Sequence, residues 1–348
     1  MATTFPNLID GHAIDSAARN IDINPSNLGD VVGEFARGTR ADLDRAIDAA
    51  RRAFPAWSQS TPQQRFDVLD RAGSEILARK DELGALLSRE QGKPLPDGVG
   101  EAARAGAIFK FFAGETLRLS GEKIDSVRPG IDVEITREPL GVVAAITPWN
   151  FPLAIPAWKI APAIAFGNCV VFKPAELVPA SPWTLVDIVQ RAGLPPGVLN
   201  LVMGPGATLG AALAASPDVD AISFTGSQDV GPSVAAAAVA TGARVQLEMG
   251  GKNPLIVLDD ADLPTAVSVA VNGAFFQAGQ RCTASSRLIV TEGIHDRFVE
   301  AVIDRMKRLV VDDALKPGTE IGPVVDERQL EKNVQYLGIG RAEGARLA

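Results

Sequence analysis

Apolar positions recur with different periods along the chain, and the period predicts the elements. Residues 1–38 combine short apolar runs with Gly, Asp and Asn, which is typical of short strands and turns. Apolar residues then recur every three to four positions, which predicts amphipathic helices. These helices are expected at about 41–54, 62–90 and 98–118. Within 119–140, Ile131, Val133 and Ile135 alternate with polar residues, which predicts an exposed antiparallel ribbon.

After residue 140 the chain alternates between short apolar runs and helical stretches. The predicted strands are 141–146, 169–173, 198–203, 220–224 and 243–248. The helices between them are predicted near 153–166, 181–192, 207–215 and 228–241. A second series has strands at 254–258 and 286–291 and helices at 262–275 and 294–309. Apolar strands that alternate with helices predict a parallel sheet covered on both faces, so the fold class is α/β.

Composition and charge narrow the class of protein. At a typical domain size of about 150 residues, the 348 residues allow two, possibly three, domains. The hydrophobic fraction of 46% is enough for a sizeable core. The formal net charge is −8 and no basic block offsets it, which argues against a nucleic-acid partner or an anionic membrane surface. The run from Gly141 to Phe172 has Lys159 as its only charged side chain, but four prolines interrupt it. A membrane-spanning helix is therefore not expected there.

The few cysteines and histidines limit the chemistry. Cys169 and Cys282 are the only cysteines, and they form neither a CxxC pair nor a disulfide framework. His12 and His295 lie too far apart in the sequence to form an HExxH zinc motif, and no metal site is predicted. The N-terminus lacks the basic stretch and apolar run of a signal peptide. We therefore expect a reduced, cytoplasmic protein.

Glycine-rich or polar segments follow the predicted strands, and ligands bind at the carboxyl ends of parallel strands. These segments are TPWNFP at 147–152, KPAE at 173–176, GPGATLG at 204–210, FTGS at 224–227 and EMGGK at 248–252. Together they suit a dinucleotide, because glycine lets a phosphate approach the backbone and helix N-termini supply N–H donors. Taken singly, each segment is equally well explained as a tight turn between a strand and a helix. Lys173 and Glu176 could bind the hydroxyls of a ribose, or could simply form a solvated turn. If they bind a ribose, the carboxylate of Glu176 favours NAD over NADP, because it would repel a 2′-phosphate.

The candidate nucleophile is Cys282, which lies in a polar segment before a strand, whereas Cys169 lies within an apolar strand. Because histidine is scarce, a general base is expected to be a carboxylate. Glu248, at a strand end among glycines, is the candidate. Taken singly, each residue has a structural alternative, a buried thiol for Cys282 and an N-capping acid for Glu248.

Five segments resemble motifs of the NAD(P)-dependent aldehyde dehydrogenases, in the same order and with matching spacing. They are TPWNFP, KPAE, FTGS, EMGGKNP and GQRC. The stretches 119–143 and 279–299 also resemble bacterial dehydrogenases that act on α-ketoglutarate semialdehyde (2,5-dioxopentanoate). The resemblance implies oxidation of a small-molecule aldehyde, such as this semialdehyde, to a carboxylate by way of a cysteine thiohemiacetal and thioester.

The resemblance also implies an architecture. A Rossmann-type NAD-binding domain would comprise 1–118 and 141–249, and 119–140 would be an oligomerisation β-ribbon. Residues 250–348 would be the N-terminal part of an α/β catalytic domain. Full-length members of the family are expected to form homodimers or homotetramers.

The resemblance assigns roles to residues of this chain. Cys282 would attack the aldehyde, and the Asn150 amide with the Cys282 backbone N–H would hold the oxyanion. Glu248 would activate the hydrolytic water, and Lys159 resembles a proton-relay lysine. The expected cofactor is NAD, with NADP as an alternative. Its implied contacts are Thr147, Trp149, Lys173, Glu176, Gly206, Gly226 and Ser227.

Two points of the resemblance stay open at this stage. Arg281 could pair with the carboxylate of a semialdehyde, or could simply be an exposed neighbour of the nucleophile. A later EIFGP-type motif and a C-terminal strand are not found before Ala348, so the chain is expected to be C-terminally truncated. The alternatives to an active dehydrogenase are an inactive fragment that binds only nucleotide or a partner subunit, and a cofactor-free thiol hydrolase. The glycine-rich segments after the strands disfavour the hydrolase, because together they suit a dinucleotide.

Overall fold

The computed structural model describes residues 4–348. The strands are β1 Thr4–Phe5, β2 Asn7–Ile9, β3 His12–Ile14, β4 Arg19–Ile23, β5 Val31–Ala36, β6 Glu122–Asp125, β7 Asp132–Ile135, β8 Val142–Ile146, β9 Cys169–Lys173, β10 Leu199–Leu201, β11 Ala221–Gly226, β12 Arg244–Met249, β13 Asn253–Val257 and β14 Ser285–Val290. The helices are α1 Arg40–Ser58, α2 Pro62–Ala78, α3 Lys80–Gln91, α4 Leu95–Thr116, α5 Ala154–Ala165, α6 Ala180–Arg191, α7 Ala211–Ala214, α8 Gly231–Thr241, α9 Leu263–Phe275, α10 Glu292–Met306 and α11 Glu327–Ala342.

The first two helices begin where their sequences provide a cap. Thr39 and Asp42 form a capping box at the start of α1, and Thr61 with Gln64 forms one at the start of α2. The single helix predicted over 62–90 is wrong, because the chain leaves helical geometry at Arg79 and starts again as α3. The apolar periodicity continues across this break, so the pattern could not reveal it.

A seven-stranded sheet in the order β12-β11-β8-β9-β10-β2-β3 organises the larger part of the chain. The strands from β12 to β10 are parallel, and β2 and β3 continue the sheet antiparallel. Strands β8 and β9 are completely buried, and α1 and α5 pack against them. The chain runs from β8 to β9 and β10 on one side, then returns to β11 and β12 on the other. This reversal creates a crevice at the carboxyl ends of β8 and β11, where an open α/β sheet binds its ligand.

Two predicted features of this sheet differ in the structure. Strand β12 is an exposed edge strand, so the expected cover on both faces is wrong there. Its sequence RVQLEM alternates polar and apolar residues, which is typical of a half-exposed strand. The helix predicted at 207–215 consists of a π-helical turn, Gly206–Gly210, followed by the short α7.

The remaining chain forms smaller units. Strands β13 and β14 pair in parallel, and α9 and α10 pack on them around Val271, Ile294 and Phe298. The predicted ribbon at 119–140 is confirmed as the exposed antiparallel pair β6–β7. Helix α11 was not predicted and has no buried residue. Among residues 4–348, no helix combines the length and the apolar character needed to cross a membrane.

Candidate active site

Three of the segments singled out in the sequence meet at the sheet crevice. Thr147 follows β8, Lys173 ends β9 and Ser227 follows β11. Strand β8 pairs with both neighbours, Ile146 lying opposite Lys173 on one side and opposite Phe224 on the other. The Thr147 backbone N–H also donates to the Lys173 carbonyl at 3.3 Å. Residues far apart in sequence therefore share one edge of the sheet.

A buried lysine faces the glycine turn that follows β10. Lys173 is 4% exposed, and a Cβ on Gly206 would lie 3.6 Å from its Nζ. Burial lowers the pKa of Lys173 to about 8, while the nearby Glu176 carboxylate acts to raise it. The turn needs glycine at Gly204, where φ is +148° and a Cβ would lie 2.7 Å from the Leu209 side chain.

The crevice also contains an unpaired hydroxyl. Thr147 is buried, and its Oγ1 has no hydrogen-bond partner among the described residues. A buried polar atom without a partner costs free energy unless a ligand or water satisfies it. Together with the Lys173 ammonium, this hydroxyl fits a hydroxyl-rich ligand such as the ribose of a dinucleotide. Trp149 follows Thr147 by two residues in the sequence and is half-buried.

The segment after β11 turns directly into α8. A Cβ on Gly226 would lie 2.4 Å from the Phe224 ring, so no larger residue fits there without a shift. Ser227 is exposed, and its Oγ accepts a hydrogen bond from the Val230 backbone N–H at 3.3 Å. The Val230 and Gly231 backbone N–H groups at the start of α8 also donate to the Ser227 carbonyl, at 3.3 and 3.1 Å, so Ser227 is fixed at the start of this helix.

The candidate nucleophile lies on a tightly held loop. Cys282 is exposed, and its carbonyl accepts a hydrogen bond from Asn253 Nδ2 at 2.7 Å. The backbone just before it is strained, because Gln277 and Ala278 both adopt left-handed conformations, with φ of 55° and 54°. By contrast, Cys169 is buried in β9, and burial raises its pKa to about 12. Of the two thiols, only Cys282 is open to a substrate.

Asn150 is linked to the segment of the nucleophile. Its Nδ2 donates to the Gln280 carbonyl at 3.2 Å, two residues before Cys282. The Gln280 side chain in turn accepts from the Val325 backbone N–H at 3.0 Å. The Asn150 carbonyl also accepts a hydrogen bond from Lys93 Nζ at 2.9 Å. The sequence analysis did not single out Lys93. A hydrogen bond thus ties the predicted oxyanion amide to the backbone two residues before the predicted nucleophile.

A chain of side chains connects Lys159 with Glu248. Lys159 Nζ donates to Ser223 Oγ at 2.8 Å, and Ser223 Oγ donates to Gln246 Oε1 at 2.7 Å. Gln246 Nε2 then donates to Glu248 Oε1 at 2.9 Å. Burial lowers the pKa of Lys159 to about 8, and Glu248 acts to raise it. The sequence analysis missed Ser223 and Gln246, although Gln246 shares a strand face with Glu248.

Arg281 is used within the protein. Its Nη2 donates to the Gly273 carbonyl at 2.9 Å and also to the Asn272 carbonyl, near the end of α9. A cation at this position complements the negative end of a helix. These contacts give Arg281 a structural role, so its presence needs no pairing with a substrate carboxylate. Within the described part of the chain, no group of three or more His, Cys, Asp or Glu side chains could hold a metal ion.

Comparison with known proteins agrees with these observations. The alpha-ketoglutaric semialdehyde dehydrogenase of Bacillus subtilis is 43% identical over 346 residues, covering 99% of this chain and 71% of that protein. The 2,5-dioxopentanoate dehydrogenase of Saccharolobus solfataricus is 39% identical over 349 residues, covering 99% and 72%. A crystal structure of Staphylococcus aureus betaine aldehyde dehydrogenase in complex with NAD+ matches with a TM-score of 0.96 and 38% identity, covering 99% of this chain and 68% of that one.

An Escherichia coli NADP-dependent enzyme of known structure also matches, with a TM-score of 0.96 and 37% identity, over 99% of this chain and 72% of that one. The model of the aldehyde dehydrogenase family matches residues 14–348. That match includes every residue predicted to belong to the site. The chain belongs to the aldehyde dehydrogenase family.

Proposed function

We propose that this chain oxidises an aldehyde to a carboxylate with NAD as cofactor and Cys282 as nucleophile. One observation carries the proposal: Asn150 is bonded to the Cys282 segment, while a separate hydrogen-bonded chain leads from Lys159 to Glu248. This arrangement provides a thiol, an oxyanion donor and a carboxylate base. The family match and relatives named as dehydrogenases do not favour an inactive fragment.

The crevice residues are proposed to hold the cofactor. Lys173 and Glu176 would bind ribose hydroxyls beside Thr147, and Gly206 would form a wall of the adenine pocket. The start of α8, with Gly226 and Ser227, would bind the pyrophosphate, and Trp149 would line the cofactor channel. Bound NAD would accept the hydride that leaves the substrate carbon. Glu176 supports NAD over NADP, because a carboxylate beside the ribose repels a 2′-phosphate.

The residues of the chain perform the remaining chemistry. The Cys282 thiolate would form a C–S bond with the aldehyde carbon, and Asn150 Nδ2 with the Cys282 backbone N–H would stabilise the developing oxyanion. After oxidation to the thioester, Glu248 would take a proton from the water that hydrolyses it. Lys159, with a pKa of about 8, can exchange protons near neutral pH, and Ser223 and Gln246 hold Lys159 and Glu248 in one hydrogen-bonded network.

The proposed substrate is a semialdehyde such as 2,5-dioxopentanoate. Support comes from relatives named for alpha-ketoglutaric semialdehyde and 2,5-dioxopentanoate, at 43% and 39% identity. Betaine aldehyde is the principal competitor, because the Bacillus subtilis betaine aldehyde dehydrogenase is 41% identical. We also propose that the β6–β7 ribbon joins copies of the chain into a homodimer or homotetramer, since an isolated exposed ribbon is only marginally stable. The domain limits and the cytoplasmic location stay predictions.

The test is an initial-rate screen with NAD and with NADP. Substrates would be 2,5-dioxopentanoate, succinic semialdehyde and betaine aldehyde, and the chain would be verified by mass. We expect NADH formation to be fastest with 2,5-dioxopentanoate and to disappear in Cys282→Ala. Cys169→Ala is the matched control and should keep the wild-type rate. Turnover that survives in Cys282→Ala would refute the proposed nucleophile.

A further inference from the structure

A buried ion pair lies directly behind Asn150. Lys93 and Glu101 have side chains that are 0% and 2% exposed, and Lys93 Nζ donates to Glu101 Oε2 at 2.6 Å. Lys93 belongs to the short connection between α3 and α4, and Glu101 to the second turn of α4. Neither residue takes part in the chemistry proposed above.

The three N–H groups of the Lys93 ammonium have three partners in reach. Besides Glu101, Nζ donates to the Asn150 carbonyl at 2.9 Å and lies 4.1 Å from the centre of the Phe151 ring. A flexible lysine side chain is thereby held in one place. Its position defines where the Asn150 backbone can lie.

Glu101 continues the same contact along the loop. Its Oε1 accepts hydrogen bonds from the backbone N–H groups of Leu153 and Ala154, at 2.9 and 3.0 Å. Helix α5 has no side-chain cap of its own at this end, so Glu101 supplies the cap from a neighbouring helix. The ion pair therefore contacts four of the five residues in 150–154, through a carbonyl, a ring and two backbone N–H groups.

Stability alone is a poor explanation for such a pair. Removing two charges from water is costly, and apolar residues of similar volume are often as good or better for stability. What an ion pair provides beyond an apolar contact is directional bonding at fixed distances. Here those bonds end on the loop that carries the proposed oxyanion donor and on the helix that carries Lys159.

We propose that Lys93 and Glu101 are positioning residues that fix Asn150 for oxyanion binding. The inference rests on the role of Asn150 proposed above. Lys93 holds the Asn150 carbonyl while the amide of the same residue reaches the Gln280 carbonyl beside the nucleophile. A displacement of about 1 Å at a reacting group can cost about 100-fold in rate, so a fixed backbone is a catalytic requirement.

The test uses the double variant Lys93→Met/Glu101→Gln. Methionine preserves volume without the bond to Asn150, and glutamine can still accept at the start of α5, so no unpaired charge is buried. We expect kcat to fall by about 10-fold or more, with the KM for NAD changed by less than about 2-fold. Lys110→Met is the control, because Lys110 lies on α4, the helix of Glu101, and pairs with Asp70 instead of contacting residues 150–154.

A positioning role makes a further demand that a purely structural role does not. In an Asn150→Ala background the double variant should cause no additional fall in kcat, because the group it positions is gone. Hydrogen exchange at the backbone amides of 149–154, of which Pro152 has none, should become at least about 10-fold faster, while β8 and β9 stay protected. If the double variant does not fold, Lys93→Arg replaces it, since a planar guanidinium cannot reproduce the three contacts of the ammonium.

Unchanged exchange at 149–154 would overturn the inference, and so would an equal fall in kcat with and without Asn150. An equal fall in Lys110→Met would also overturn it. If the wild-type chain forms no NADH, the proposed function fails, and the exchange measurement alone then decides whether the pair positions the loop.

Discussion

Replacing Lys159 by methionine should make the protein more stable at neutral pH. Lys159 is 8% exposed, and burial lowers its pKa from 10.5 to about 8. The lowered pKa means that the charged form of Lys159 is less favourable in the folded protein than in the unfolded chain. Methionine has a similar length and carries no charge, so this cost disappears.

The magnitude follows from the pKa and the hydrogen bond. One pKa unit corresponds to about 1.4 kcal/mol, so the cost of the buried charge below pH 8 is about 3.5 kcal/mol. Against this, the variant loses the bond from the charged lysine to Ser223, a contribution of about 1.5 kcal/mol. The variant should therefore gain about 2 kcal/mol in free energy of unfolding at pH 7.

The gain must depend on pH in a defined direction. Between pH 8 and 10.5 the unfolded chain binds a proton at Lys159 that the folded protein does not, so wild-type stability rises with pH. The advantage of Lys159→Met is complete below pH 8 and should have nearly vanished at pH 10. Urea unfolding of both proteins at pH 7, 8, 9 and 10 measures this difference. Lys110→Met is the control, because Lys110 is a half-exposed lysine and its variant should show no such trend.

A constant difference across this pH range, or a variant less stable than wild type at pH 7, would refute the reasoning. Either result would mean that the lysine is not held as a costly buried charge. The proposed proton exchange at Lys159 would then lose its physical basis. A confirmed gain would instead show that the buried charge of Lys159 lowers the stability of the fold at a site proposed to act in catalysis.

Two further changes test other parts of the site. Glu176→Gln should raise the ratio of NADP-dependent to NAD-dependent kcat/KM by about 10-fold, because a repulsive carboxylate is removed from the ribose site; an unchanged ratio in initial-rate measurements would exclude Glu176 as the selective residue. Asn253→Ala should lower the free energy of unfolding by about 1–2 kcal/mol in urea, because Asn253 Nδ2 bonds the carbonyls of both Cys282 and Ala284; a loss below about 0.5 kcal/mol would show that the loop does not depend on it.

The sheet and the position of the site were predictable because local patterns determine them. Strands β8 and β9 are continuous apolar runs, and their predicted limits differ from the observed ones by at most one residue. The carboxyl ends of parallel strands necessarily share one edge, so Thr147, Lys173 and Ser227 could be expected to meet. The exposed ribbon was equally clear, because its apolar residues alternate strictly.

Contacts between distant parts of the chain were not predictable in this way. Lys93 reaches a carbonyl 57 residues away, and Lys159 reaches Ser223 64 residues away. Such partners depend on how helices pack, which the spacing of apolar residues does not encode. The break at Arg79 escaped for a related reason, since α2 and α3 each continue the same apolar period.

The most direct test of the central claim is to trap the covalent intermediate on Cys282. Glu248→Gln should still oxidise the substrate once but hydrolyse the thioester slowly. With NAD and 2,5-dioxopentanoate it should release about one equivalent of NADH in a burst, and mass spectrometry should find the acyl group on the peptide containing Cys282. An NADH burst with the adduct elsewhere, or no burst and no adduct, would contradict the account.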